Sequence, residues 1–285
     1  MNSLQLPLPL KPLASQIESL ALPCAAFSLK PRTNTELDIG SSKLGGNPDL
    51  PDGFRWPEFG GKPQHLVLQI NLADIAGITS LKGQLPTSGL LSFFYDLEEQ
   101  PWGYDPAAID GFHVSYFNSC AELNRQVTKR PDFALEEHAL AFREEMTLPA
   151  LGHRETNALT SSSAWNDDMY DAYSCLVADL GSLNPGRSGG KHRLLGHSEN
   201  IQGDMQLEAQ LVTNGLYCGN ASGYEDPRRA SLEKHADDWI LLLQLDSDDI
   251  GNFMWGDSGM LYYWIRKQDL CELRFDRVWM TLQCC

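Results

Sequence analysis

The residues Gly256-Asp257-Ser258-Gly259 copy the local sequence around a trypsin-like serine nucleophile. That chemistry also needs a histidine base and a buried aspartate that orients it. His235 and Asp237 are available, but nothing around them resembles the usual histidine neighbourhood. The chain offers a simpler reading, because Ser258-Gly259 aligns with Ser88-Gly89 in a repeated pattern. Both pairs are then turn residues entering a strand, and a short motif without its context is a weak guide to chemistry.

Other constellations dissolve in the same way. Gly186 to His192 is similar to a phosphate loop, yet Pro185 stands where the first glycine is required. His192 replaces the Ser or Thr that would hold magnesium, so a plain loop is expected. The seven histidines, His65, His113, His138, His153, His192, His197 and His235, contain no H-E-x-x-H. His192 and His197 are five apart and do not share a helix face, so no metal site and no cofactor is expected. Asp246, Asp248 and Asp249 lack the glycine and closing glutamate of a calcium loop and read as a polar turn.

The elements that must position any site are β-rich and written twice. Leu66-Val67-Leu68-Gln69-Ile70-Asn71-Leu72 precedes Gly89-Leu90-Leu91-Ser92-Phe93-Phe94-Tyr95 in the first half. Leu241-Leu242-Leu243-Gln244-Leu245-Asp246 precedes Gly259-Met260-Leu261-Tyr262-Tyr263-Trp264 in the second. Each continues to a further apolar strand pattern, Phe112 to Tyr116 and Phe275 to Trp279. Self-similarity of this kind marks a scaffold built from one unit used again. Leu13 to Leu22 has helical spacing stopped by Pro23, and Cys24 to Pro31 alternates weakly as a strand. The middle reads as helical: Phe133 to Met146 is rich in Ala, Leu and Glu. Asp167 to Leu180 places Met169, Tyr173, Leu176, Val177 and Leu180 on one face, with acidic residues in its first turns. Met205 to Val212 fits a short helix or a strand, and Asn184 to Gly190 a loop.

The fold class expected is α+β, mainly β: two similar β-rich modules with helical insertions packed as one unit. The N-terminal helix and lead-in occupy residues 1–43, the first module 44–124, a helical insertion 125–190 and the second module 191–285. A single compact domain is within reach of 285 residues.

The formal net charge of −16 narrows the partners. Such a field repels nucleic acid and anionic lipid, and steers a basic partner. Asp96 to Asp110 carries Asp96, Glu98, Glu99, Asp105 and Asp110 without one Lys or Arg, and Trp102 and Tyr104 interleave with them. Asp167-Asp168 lies beside Trp165 and Tyr170. Aromatic residues among carboxylates suit a docking surface for a basic protein. The candidate partner-binding residues are therefore Asp96, Glu98, Glu99, Trp102, Asp105, Asp167, Asp168 and Tyr170. No catalytic residue is assigned.

Met1 to Leu22 contains Pro7, Pro9 and Pro12 and lacks a basic start, so no signal peptide is expected. No apolar run is long enough to span a bilayer. Seven dispersed cysteines without a C-x-x-C pair suggest reduced thiols and a cytoplasmic location.

Several motifs taken together resemble a known family. Leu44-Gly45-Gly46-Asn47-Pro48-Asp49-Leu50-Pro51, Trp56-Pro57, Gly61-Lys62-Pro63, Leu68 to Leu72, Leu85-Pro86 and Gly89 to Tyr95 are similar to the YwqG-like family, domain of unknown function 1963. So are Leu194-Leu195-Gly196-His197, Ile201 to Met205, Trp239 to Leu245 and Trp255 to Gly259, which carries the resemblance from Leu44 to Gln283. The resemblance implies structural roles for these glycines, prolines and aromatics, and no transferable catalytic site. It also implies a setting, since members look like immunity proteins found beside secreted and polymorphic toxins.

The function expected is therefore a non-enzymatic immunity protein. It would neutralise a cognate toxin, a cytosol-acting nuclease for preference, by laying an acidic surface over the toxin's basic active site. The alternative is a small-ligand-binding protein or enzyme with a pocket between the two modules, where His197, Gln202 and Asp204, or Trp255 and Asp257, would converge.

Overall fold

The apolar runs around Val67 and Leu242 have no polar face to show to water, so each must be covered on both sides. Both become interior strands of one ten-stranded antiparallel sheet in the computed structural model, which describes residues 4–32, 35–182 and 190–285. The strands are β1 (Leu22–Leu29), β2 (Lys43–Leu44), β3 (His65–Asn71), β4 (Leu90–Tyr95), β5 (Phe112–Phe117), β6 (His138–Thr147), β7 (His192–Leu194), β8 (Trp239–Asp246), β9 (Met260–Arg266) and β10 (Trp279–Gln283). Their order across the sheet is β10-β9-β8-β7-β1-β6-β2-β3-β4-β5. The chain is a mixed α/β protein, mostly β, and this sheet is its frame.

The sheet curls until its two ends meet. Phe93 of β4 packs edge-on against Tyr263 of β9 with ring centroids 5.1 Å apart, and Phe112 of β5 meets Trp279 of β10 at 5.2 Å. The loop after β4 then seals the edge of β10. Trp279 Nε1 donates to the Gly103 carbonyl at 2.8 Å, and Leu282 N donates to the Trp102 carbonyl at 2.9 Å. One cluster of buried side chains runs from Phe27 through Phe93 to Trp264 and Leu282, filling the space the curl encloses.

Helix α1 (Ala14–Leu20), helix α2 (Asp167–Ser182) and a preceding 3₁₀ turn, Leu8–Leu13, form a separate layer. Ile17, Leu10 and Leu13 pack there with Met169, Tyr173 and Leu176, the face expected from the spacing. Helix α3 (Met205–Val212) decides the Met205–Val212 alternative for helix. Asp204 caps it, accepting from Gln206 N and Leu207 N.

Three expectations need correction. Phe133 to Met146 is no helix: β6 runs through it and pairs with β1 along eight residue pairs, Leu22 to Leu29 against Thr147 to Leu140. Pairing with a buried neighbour on each side outweighs the modest helix preference of Ala, Leu and Glu. The insertion at 125–190 is accordingly part strand and contributes a central member of the sheet. The last strand of the second half starts later than Phe275, because Phe275–Arg277 is a 3₁₀ turn and pairing begins at Trp279. Of the loop expected at Asn184 to Gly190, and of the glycine-rich stretch from Gly186, residues 184–189 lie outside the described residues.

Candidate functional site

The acidic loop does not present its charges as a sequence without Lys or Arg suggests. Asp96 is fully buried; its Oδ1 accepts from Glu98 N and Glu99 N, and its Oδ2 meets Arg130 at 3.0 Å. Glu98 pairs with Lys62 at 2.6 Å and with Arg130. Asp105 caps the 3₁₀ turn Pro106–Gly111 through Ala107 N. Glu98, Glu99, Trp102 and Asp110 remain exposed. Two cations distant in sequence, Lys62 and Arg130, thus pair with part of a loop of five carboxylates that carries no cation of its own.

Asp167, Asp168 and Tyr170 are exposed on the first turns of α2, which packs on β6 and the Leu8–Leu13 turn. The loop bearing Trp102 lies instead against β10 and Arg130. The eight predicted residues therefore belong to two separate elements with different supports.

The other sequence motifs find structural work. Ser258 Oγ meets the sulfur of Met254 at 3.9 Å, while His235 faces Asp238 on the surface, so no triad forms. Asp248 holds its own turn, accepting from Ile250 N, Gly251 N and Gly190 N, and pairs with His192. His192 is thereby committed, with Nδ1 accepting from Asp246 N. Trp255 is buried with its indole N–H on the Asp246 carbonyl, and Asp257 is exposed. Among the described residues no group of three or more His, Cys, Asp or Glu side chains is placed to hold a metal ion.

A different cleft concentrates unused polar chemistry. It encloses about 440 Å³, within the range of small-molecule sites. Its walls are Leu22 and Pro23 of β1, Gln84, His153 and Glu155, Leu195 to Ser198, Gln206 of α3, Asp237, Trp239 to Leu241, Trp264 and Lys267. Three of the lining residues carry a buried polar atom without a hydrogen bond among the described residues: Nε2 of His153, Nε1 of Trp264 and Oε2 of Glu155, which stands 3.9 Å from His153 Nδ1. Each such orphan costs roughly 1–3 kcal/mol, and three of them belong to residues around one cleft.

The local chain geometry explains how they converge. After β7, Leu195 and Gly196 both take left-handed backbone, with φ of 61° and 76°. A Cβ on Gly196 would stand 2.8 Å from Cys24 Cβ and from Thr147 Oγ1, so only glycine fits. Leu195 holds a conformation unfavourable for a branched side chain, and strain of this sort gathers at functional sites. The double turn sends His197 N to Thr147 Oγ1 at 2.9 Å and the His197 ring to the Leu20 carbonyl, Nε2 donating at 2.7 Å. Burial pushes His197 down to about 4, so its ring is neutral at pH 7. Burial also lowers His153, against the opposing charges of Glu155 and Asp204.

Arg154 straps the His153–Glu155 turn across the cleft. It meets Asp237 at 2.5 Å and Asp204 at 3.5 Å, bridging to α3 and the start of β8. Lys267 Nζ donates to the Asp237 carbonyl, and Gln206 Nε2 to the Trp239 carbonyl. Of the residues expected to converge in a pocket, His197 lines this one and Asp204 adjoins it. Gln202 is spent elsewhere, with its side chain on the Cys284 carbonyl. The sequence pointed to neither Glu155 nor Trp264, and to His153 only among seven histidines. Trp264 stands more than a hundred residues from the other two, and only the Leu195-Gly196-His197 turn carried a signal.

A larger, open groove of about 1180 Å³ lies between Trp56, Phe112, His113 and Trp279. Its polar groups are mostly engaged: Lys129 sits over the Trp56 ring, His113 Nε2 meets Ser115 Oγ at 2.9 Å, and Asp276 pairs with Arg274. Gln64 Oε1 is its single orphaned buried side-chain atom among the described residues.

The fold and cleft define a mostly β protein with one nearly closed sheet and a partly open cleft beside it. The chain belongs to the family described as Domain of unknown function (DUF1963), which matches residues 42–284. That is the family its motifs resemble. None of the curated proteins matches the chain. Among the described residues no helix is long and apolar enough to cross a membrane.

Proposed function

We propose that this protein is a non-catalytic binding protein that holds a small molecule in the cleft between the His153–Glu155 turn, β1 and the second half of the sheet. The observation that carries this reading is the gathering, in three residues around one cleft, of buried polar atoms that make no hydrogen bond among the described residues. The cleft supports recognition better than covalent chemistry, since no cysteine lines it and the Ser198 hydroxyl is bonded to Asn200 Oδ1 at 2.6 Å. The test is native mass spectrometry of the protein purified from its own cells. A stoichiometric small molecule that is lost in His153→Ala supports the reading. A protein free of ligand, whose Trp264 indole signal also stays unmoved across a metabolite library, removes it.

A second reading keeps the immunity role. Its support is Trp102, 37% exposed on a loop whose backbone is fixed to β10, beside exposed Glu99 in a chain of net charge −16. A rigidly presented tryptophan in an acidic field suits a basic toxin. Under this reading Trp102→Ala abolishes toxin binding, and raising the salt slows association far more than it speeds dissociation. An association rate indifferent to salt removes the electrostatic part of the reading.

The two halves of the sheet also read as copies of one unit. In support, the strand order is the same from either edge, and β3–β4 and β8–β9 shift register at matching places, Leu66/Leu68 and Leu241/Leu243. Gln69 and Gln244 each reach from the following strand position to a loop carbonyl, of Ser41 and Lys191. Under this reading the domain is one unit and its boundaries at 44–124 and 191–285 mark copies that do not fold alone.

A further inference from the structure

We infer that Glu208 is a proton-operated latch: its protonated carboxyl holds the 216–225 segment in place, and through that segment the loop that seals the edge of β10.

The carboxyl stands at the root of a chain of contacts. Its Oε2 accepts from the hydroxyl of Tyr224, on the short helix Ala221–Glu225, at 3.2 Å. Its Oε1 is closed to solvent and makes no hydrogen bond among the described residues, and the same holds for Thr281 Oγ1 of β10. The stretch that carries Tyr224 is folded tightly on itself, since a Cβ on Gly223 would lie 2.4 Å from the Tyr217 carbonyl oxygen. Cys218 N donates to the Tyr104 carbonyl at 2.8 Å, and the Tyr217 ring meets Tyr104 edge-on at 5.6 Å. Tyr104 follows Trp102 and Gly103, whose carbonyls accept from Leu282 N and Trp279 Nε1 of β10.

Among the described residues no cation offsets a charge on Glu208. The charged group that acts on it is Asp204, of the same sign. Cations on the neighbouring elements are turned elsewhere: Arg228 to Asp226, Arg229 to Glu233, Arg266 to Gln210 and Thr213, and Arg154 to Asp237 and Asp204. On the Glu233–Asp238 turn His235 faces Asp238, and Lys234 is exposed. β8 brings Asp246, whose carboxylate takes Lys191 N, and β10 brings no titratable group. Burial raises the Cys218 thiol to about 12 and holds the Tyr224 hydroxyl above its usual range, so both stay neutral.

Ionisation therefore leaves a buried charge with a single neutral donor, and the charge favours an opened segment that admits water. Burial raises the closed-state value to about 7 from the ordinary 4.5. The latch is at full strength below pH 4.5 and is lost as pH rises to about 7.

The experiment is hydrogen exchange followed by mass spectrometry on the full chain and on Glu208→Gln, at pH 4.5 and pH 8. Each wild-type rate is divided by the variant's rate at the same pH, which removes the intrinsic pH dependence of exchange. The expected ratio for 216–225 and 101–104 rises at least about tenfold from pH 4.5 to pH 8, because the opened segment releases a proton that the closed one keeps. Both stretches also exchange ahead of β1 and β6. A ratio equal at the two pH values overturns the latch. Exchange in 216–225 no faster than in β1 and β6 also overturns it, since the segment then opens only with the whole fold. Tyr224→Phe is an independent check that does not need the Gln variant to fold. It removes the donor that favours the carboxylate, so exchange of 216–225, scaled to an unstructured peptide of the same sequence, rises at a higher pH than in the wild type. A midpoint unmoved or lowered overturns the link through Tyr224.

Discussion

His192 Nε2 donates to Asp248 Oδ2 across 3.0 Å, and neither side chain touches solvent. The pair ties β7 to the turn after β8, where Asp248 also accepts from three backbone N–H groups. His192 stacks on Phe27 of β1 at 5.2 Å, so the same ring joins the turn to the centre of the sheet. His192 and Asp248, weighed in the sequence for a metal and a calcium loop and expected to hold neither, are a structural clamp.

Removing the carboxylate of this clamp leaves a buried ring and three backbone donors without partners. Asp248→Ala is expected to cost about 3 kcal/mol in urea unfolding. The same carboxylate sets an acid limit. Its partners hold it well below the ordinary value of 3.8, largely through His192 and the backbone donors working against burial. Its contribution is complete above about pH 4 and is lost as pH falls through the window below 3.8. Stability measured at pH 5 and at pH 3 falls in the wild type and changes less in the variant.

Glu208 on α3 has the opposite sign. Burial pushes it up to about 7, while the Tyr224 hydroxyl, donating to Oε2 at 3.2 Å, pulls it down. The folded state therefore binds a proton that the unfolded chain releases near 4.5. Stability from this group is full below pH 4.5 and is lost as pH rises through about 7. Glu208→Gln is expected to raise stability at pH 8 by about 2 kcal/mol and to change little at pH 4.5, in paired denaturation curves.

Closure of the sheet depends on Gly103. Its φ is +85°, and a Cβ there would lie 1.9 Å from the Met280 carbonyl oxygen. Gly103→Ala must push the loop off β10 and break the Trp279 and Leu282 hydrogen bonds. A loss of at least about 3 kcal/mol, or failure to fold, is expected by thermal unfolding. Trp279→Phe removes only the indole donor and is expected to cost about 1 kcal/mol.

Gln69 and Gln244 provide a comparison within one molecule. Gln244 accepts from Glu199 N and donates to the Lys191 carbonyl. Gln69 accepts from Asp49 N and donates to the Ser41 carbonyl and to the buried Asp49 carboxylate. Gln69→Leu is expected to cost about 1 kcal/mol more than Gln244→Leu, because it also strips a donor from a buried charge. Equal losses in urea would mean that Arg125, which meets Asp49 at 2.5 Å, satisfies that carboxylate alone.

Asp96 separates the two roles considered for the acidic loop. It is buried and paired, so Asp96→Ala is expected to lower stability by about 3 kcal/mol, whereas Glu99→Ala at an exposed position is expected to change it by less than about 0.5 kcal/mol. Denaturation curves of both variants check this directly.

The sequence by itself determined most of the strands. Runs such as Leu66–Leu72 and Leu241–Leu245 are too apolar and too short for anything except a covered strand, and the face of α2 follows from the spacing of Met169, Tyr173 and Leu176. The motifs also determined the family. Tertiary structure decided what local pattern does not contain. The 138–147 segment became a central strand because β1 and β2 flank it, against its own composition. Asp96 is buried beside Arg130, thirty-four residues away, and so does not stand on the surface. His153, Glu155 and Trp264 line one cleft, where Arg154 ties a turn from the middle of the chain to Asp237 and Asp204. Short-range pattern records which faces avoid water; the meeting of distant polar groups depends on how the sheet curls, and that is set by all of its strands at once.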